Sequence, residues 1–144
     1  MKTRIKIDQV EPSGYSAILG LEKYIENTPL TKIHKDLIKI RASQINGCAF
    51  CIDMHTKEAR KTGETEQRIY ALNAWRDTPF FTNEERAILS LTEEVTLISN
   101  HVKDETYQMA LDALGETYIA QVIMAIITIN AWNRIGITTQ LIPA

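Results

Sequence analysis

The chain has 144 residues, 44% hydrophobic and 24% charged, with only two cysteines. That length suits one compact domain with its own core, and a net charge of −2, from 16 basic and 18 acidic side chains, leaves no electrostatic footprint for nucleic acid. The N-terminal "MKTRIKIDQV" lacks the apolar stretch of a secretory signal, and the longest apolar run, "VIMAII" at 122–127, falls short of a bilayer span. The expectation is a cytoplasmic protein, away from membranes, whose thiols are kept reduced.

In chain order the first element is a short alternation, "TRIKIDQ", read as an extended arm over 1–12. From there the apolar positions recur at helical spacing. Ser13 or Ser16 caps a helix running to Glu26, with Ile18, Leu19, Tyr24 and Ile25 inward. Beyond Pro29, "LTKIHKDLIKIRASQ" forms a second helix with Ile33, Leu37, Ile40 and Ile45 near one face. Asn46-Gly47 stops it, and a third helix runs from about Cys48 to Lys61, ended by Gly63. "ETEQRIYALNAW" gives a short fourth helix closed by "RDTP". Thr82 and Glu85 have capping-box spacing and open a helix through Ile98. Asp104 to Leu114 is next, ended by Gly115, and "TYIAQVIMAIITINAWNR" is last and apolar around most of its circumference. Such a helix is either the centre of a bundle or part of a subunit interface. The tail, 138–144, is also apolar. The expected fold is therefore all-α, a compact bundle of six to seven helices in a single domain over 1–144.

Both cysteines lie in "INGCAFCIDMH", as Cys48-x-x-Cys51 with His55 four positions on. Three readings compete. Zinc accepts cysteine and histidine, but a structural site needs four ligands and would have to recruit His34 or His101 from elsewhere. Two inert core thiols are the bland alternative, which explains neither the spacing nor the histidine. The redox reading uses every residue: one sulfur attacks a substrate and the other closes a disulfide. On a helix Cys51 and His55 are i and i+4 and Cys48 shares their face. A histidine so placed takes the thiol proton or stabilises the anion, and the helix N-terminus favours a thiolate.

The stretch "KDLIKIRASQINGCAFCIDMHTKEARKTGE" resembles the core motif of the AhpD-like alkylhydroperoxidases, within the carboxymuconolactone decarboxylase superfamily. "ALNAWRDTPFFTNEERAILSLTEEVT" and "INAWNRIGI" extend the resemblance over about residues 15–137. It implies a catalytic set of an acid twelve positions before the first cysteine, the C-x-x-C pair and the histidine, which here are Asp36, Cys48, Cys51 and His55. It further implies Cys51 as the peroxide-attacking thiol, Cys48 as the resolving one, His55 as base, and Asp36 as its orienting or relaying acid. Helix electrostatics alone would favour Cys48, which is nearer the helix start. A base one turn from Cys51 outweighs that partial charge.

Two positions depart from the family pattern. Asp36 stands where glutamate is usual, so a relay to His55 needs a water or the acid sets only local charge. Phe50 stands where the better-studied peroxidases carry a histidine beside the second cysteine, which points to slow turnover or another disulfide exchange. The superfamily's decarboxylases lack the cysteine pair, which argues against lactone decarboxylation. The expected activity is reduction of hydrogen peroxide or organic hydroperoxides, with no bound cofactor and no metal. An external dithiol donor, a lipoylated or thioredoxin-like protein, restores the pair in a homotrimer or homohexamer. A non-catalytic redox sensor or general disulfide-exchange protein is the alternative. Elsewhere, Asp53 and Lys57 suit a solvated ion pair, His34 reads as surface, and His101 as a loop residue or cap. Trp75, Trp132, Phe80 and Phe81 read as core or interface, and Asn133 and Arg134 as candidate subunit contacts.

Overall fold

A computed structural model describes residues 1–144, and it is helical throughout with no strand. Six helices have eleven residues or more: α2 (Pro12–Glu26), α3 (Lys32–Asn46), α4 (Ala49–Lys61), α6 (Asn83–Thr96), α7 (Asp104–Leu114) and α8 (Glu116–Thr139). Two are short, α1 (Ile7–Val10) and α5 (Glu66–Tyr70). The expected bundle is observed, with the C-x-x-C pair at the N-terminal end of α4.

Local chemistry sets the boundaries. Thr31 caps α3 by accepting from the His34 N–H at 3.2 Å, and Thr82 and Glu85 form the reciprocal capping box that opens α6. Pro12, at the first turn of α2, starts that helix in place of Ser13 or Ser16. Gly115, at φ 81°, lets α7 turn directly into α8.

Several expectations need correcting. The arm is not extended to residue 12: Ile7–Val10 forms one helical turn. The fourth helix is broken: α5 ends at Tyr70, and Leu72–Asp77 continues as a tighter turn that is itself interrupted where Ala74 leaves helical geometry. The last helix runs to Thr139, taking in residues assigned to the tail. By length and composition α8 also fits a bilayer-spanning helix, which the short apolar run at 122–127 does not reveal. Here it packs against α2, α3, α4, α6 and α7.

α3 lies between two apolar clusters. Ile38 and Ala42 join Ile88, Leu91, Val122, Ile126 and Ile129 on one side. Leu37 and Ile40 join Ala59, Leu72, Trp75, Phe81 and Leu89 on the other. Burying each large aliphatic side chain is worth about 1.5–3 kcal/mol, so α3 is anchored on both faces. Leu19 and Tyr24, read as inward, are instead 47% and 45% exposed, and Ile33, placed near one face with Leu37 and Ile40, is 49% exposed. Phe80 is also exposed, whereas Trp75 and Phe81 are core.

Candidate active site

The cysteine pair is positioned by a turn between two helices. Gly47 adopts φ 71°, and the Cys48 N–H reaches back to the Ser43 carbonyl at 3.0 Å. This closes α3 in a Schellman turn. Cys48 then becomes the N-cap of α4, its Sγ accepting from the Cys51 N–H at 3.3 Å. Both sulfurs therefore sit in the first turn, where unpaired N–H groups and the helix dipole favour negative charge on sulfur. The two are joined as a disulfide, with Cα atoms 5.3 Å apart. Both residues are buried.

Polar side chains fix this turn onto α8. Asn46 Nδ2 donates to Asn130 Oδ1 at 3.0 Å and Asn133 Oδ1 at 2.9 Å, and Asn133 Nδ2 donates to Ser43 Oγ at 2.9 Å. Asn133 is wholly buried, so it is an internal strut and not the subunit contact expected of it. Arg134 bonds Asn130 on its own helix. One turn beyond Asn133, Gly136 faces the sulfurs: a Cβ there would stand 3.0 Å from Cys48 Sγ and 3.4 Å from Cys51 Sγ.

Cys51 opens on a cleft of about 990 Å³, and Cys48 does not line it. Phe50, Met54 and His55 continue its wall along α4, Leu19 and Tyr15 come from α2, and Trp132 and Ile135 from α8. Residues 3 and 5–9 and the tail residues Leu141 and Ile142 complete it. The exposure of Leu19 thus has a reason, since it faces the cleft. Part of the charged wall is internally paired. Lys39 bonds Glu22 at 2.8 Å, Trp132 Nε1 donates to the other Glu22 oxygen at 3.1 Å, and Lys32 pairs with Asp36 one turn away on α3.

Of the four residues expected in the site, Asp36, Cys51 and His55 line the cleft, and Cys48 is bonded to Cys51 behind it. His55 is buried, and burial pushes its imidazole toward the neutral form against the opposing pull of a hydrogen bond from Nδ1 to Glu58 Oε2, at 3.0 Å. The acid bonded to His55 is thus Glu58, while Asp36 is held by Lys32. Glu58, Glu22, Lys39 and Gly136 were missed in the sequence. His55-x-x-Glu58 was a readable signal, because positions three apart meet on a helix.

The outlying assignments divide. Asp53 and Lys57 pair at 2.8 Å on the outer face of α4, and His101 lies in an exposed loop. His34 is not a free surface residue. It is half-buried, its Nδ1 lies 2.6 Å from the Tyr118 hydroxyl, and burial lowers its pKa against the pull of Glu85 and Glu84.

A helical bundle holding a disulfide-forming C-x-x-C pair at the head of a central helix, with a histidine one turn on, defines an AhpD-like thiol protein. The model of the carboxymuconolactone decarboxylase family matches residues 12–94, and the chain belongs to that family. YdfG of Bacillus subtilis, itself uncharacterised, is 46% identical over 138 residues, spanning 95% of this chain and 94% of its own. The alkyl hydroperoxide reductase AhpD of Hyphomonas neptunium is 40% identical over 47 residues, 33% of this chain and 26% of its own. A crystal structure from Agrobacterium tumefaciens, of a protein of unknown function proposed as the antioxidant defence protein AhpD, superposes with a TM-score of 0.96 at 38% identity, covering 99% of both chains.

Proposed function

We propose that the protein is a thiol-dependent hydroperoxide reductase cycling Cys48 and Cys51 between dithiol and disulfide. The observation that carries this reading is a bonded sulfur pair of which one member, Cys51, faces a cleft that also holds the buried His55. In the reduced form His55 takes the Cys51 proton, and the thiolate attacks the outer peroxide oxygen. The O–O bond breaks, sulfur is oxidised to a sulfenic acid, and the alkoxide leaves with the proton as an alcohol. The Cys48 sulfur then attacks Cys51 Sγ, water departs, and the disulfide forms. Two thiol–disulfide exchanges with an external dithiol restore both thiols and oxidise the donor.

The cleft supports an organic hydroperoxide as substrate. Its volume of about 990 Å³ far exceeds the roughly 30 Å³ share of a water-sized molecule and is that of a small-molecule pocket. A lipoylated protein is the first donor to test and a thioredoxin-like one the second; either places the cycle in a reducing compartment, the cytoplasm. Assembly as a homotrimer or homohexamer belongs to the same proposal, supported by exposed Ile127 and Ile137 on α8.

NADH-coupled consumption of cumene hydroperoxide, with lipoamide and lipoamide dehydrogenase and then with the thioredoxin system, tests the reading. Many turnovers per chain with either donor are expected. Oxidation of one equivalent that neither donor reverses would leave a redox sensor in place of an enzyme.

A further inference from the structure

His55 has one ring nitrogen already committed. Its Nδ1 lies 3.0 Å from Glu58 Oε2; a carboxylate accepts and cannot donate, so Nδ1 carries the proton and Nε2 is the basic nitrogen. His55 follows Cys51 by one turn on α4, and both line the cleft. The other charged groups near the ring are Lys39 on α3 and Glu22 on α2, which bond each other at 2.8 Å and largely cancel. Asp36, on the cleft wall, is neutralised by Lys32. Glu58 bonds no lysine or arginine, so its charge is directed at His55 alone.

We propose that Glu58 is the positioning residue of the site, acting through His55 to fix the imidazole tautomer and hold the basic nitrogen ready for the Cys51 proton. This deepens the dithiol-cycle reading, on which it rests, and gives to Glu58 the orienting role that the family pattern gives to Asp36. The carboxylate stabilises the imidazolium formed when His55 takes the Cys51 proton, and the imidazolium then gives that proton from Nε2 to the leaving alkoxide. No electron passes through either residue.

The test is the pH dependence of Cys51 alkylation by iodoacetamide in the Cys48→Ser protein, alone and with Glu58→Gln, Glu58→Asp or Asp36→Asn added. The Glu58 side chain is half-exposed, so its two substitutions leave the core intact, and Asp36→Asn keeps the shape of a buried side chain. Removing an opposite charge at hydrogen-bond distance shifts such a curve by about one pH unit. Glu58→Gln is expected to move the half-maximal rate upward by that amount, Glu58→Asp by less, and Asp36→Asn by less than Glu58→Gln. Nitrogen NMR of His55 is expected to show the Nδ1–H tautomer in the parent and a mixture in Glu58→Gln. An unmoved curve in Glu58→Gln, or a larger shift in Asp36→Asn, overturns the assignment. Alkylation needs neither peroxide nor donor, so a failure of the peroxidase reading would appear as absent turnover with this profile unchanged.

Discussion

Replacing Gly136 with alanine adds a methyl group directly over the sulfur pair. Its carbon would lie 3.0 Å from Cys48 Sγ and 3.4 Å from Cys51 Sγ, where about 3.5–4 Å is comfortable. In the disulfide both sulfurs are pinned, so relief must come from moving α4 against α8. Overpacking of this kind costs about 1–3 kcal/mol. In the dithiol form each sulfur is free to rotate to another χ1 well, so most of that cost is confined to the oxidised protein. At 30 mV per 1.4 kcal/mol for a two-electron couple, the potential should rise by about 20–60 mV, making the pair more readily reduced. Alanine also improves helix propensity by about 0.5–1 kcal/mol in both forms. Gly136→Ala should therefore raise the Tm of the reduced protein and lower that of the oxidised protein. Redox titration against a glutathione buffer, with melting of both forms, reads the two effects. An unchanged potential, or equal Tm losses in both forms, would refute the packing argument.

Three other outcomes follow from the same structure. Asn133→Leu leaves the buried Ser43 hydroxyl without its partner and takes one of the two acceptors of Asn46, Asn130 remaining; it should cost about 1–3 kcal/mol in urea unfolding, with a looser C-x-x-C turn read as faster amide exchange at Cys48. Glu93 accepts from Arg41 at 2.9 Å, Trp75 at 2.8 Å and Arg76 at 2.5 Å; burial pushes its carboxyl up, but these bonds hold it below the ordinary 4.5. Because the folded value lies below the unfolded one, its contribution is complete above about pH 4.5 and is lost as pH falls through the folded value, so Glu93→Gln should lower stability at pH 7 and flatten the acid limb of the urea midpoint against pH. Finally, if exposed Ile127 and Ile137 lie between subunits, Ile127→Glu should reduce the sedimenting mass, and an unaltered mass would remove this face from the assembly.

Elements with local causes were legible in the sequence. The capping box at Thr82 and Glu85, the 104–114 helix ended by Gly115, and the Gly47 stop before Cys48 were all read close to their observed places. What escaped depends on tertiary partners. Periodicity locates an apolar face but not what covers it, so Leu19 was read as core although it faces the cleft. A single turn such as Ile7–Val10 has no period to detect. The β-branched end of α8, weak in helix propensity, is held by packing that brings Gly136 onto the sulfurs. The His34–Tyr118 bond joins residues 84 apart in sequence, beyond any local pattern. The site shows the same division. The sulfur pair and His55 follow from spacing on one helix. The diversion of Asp36 depends on Lys32, one turn away on the same face, and that i,i+4 pair was open to reading.

The central claim is that Cys51 is the sulfur that meets peroxide. It is tested most directly by giving the reduced Cys48→Ser protein one equivalent of cumene hydroperoxide in the presence of dimedone and locating the adduct by peptide mass spectrometry. The account predicts one adduct, on Cys51, and the matching experiment on Cys51→Ser yields none. An adduct on Cys48 in Cys51→Ser, with none on Cys51 in Cys48→Ser, would contradict it.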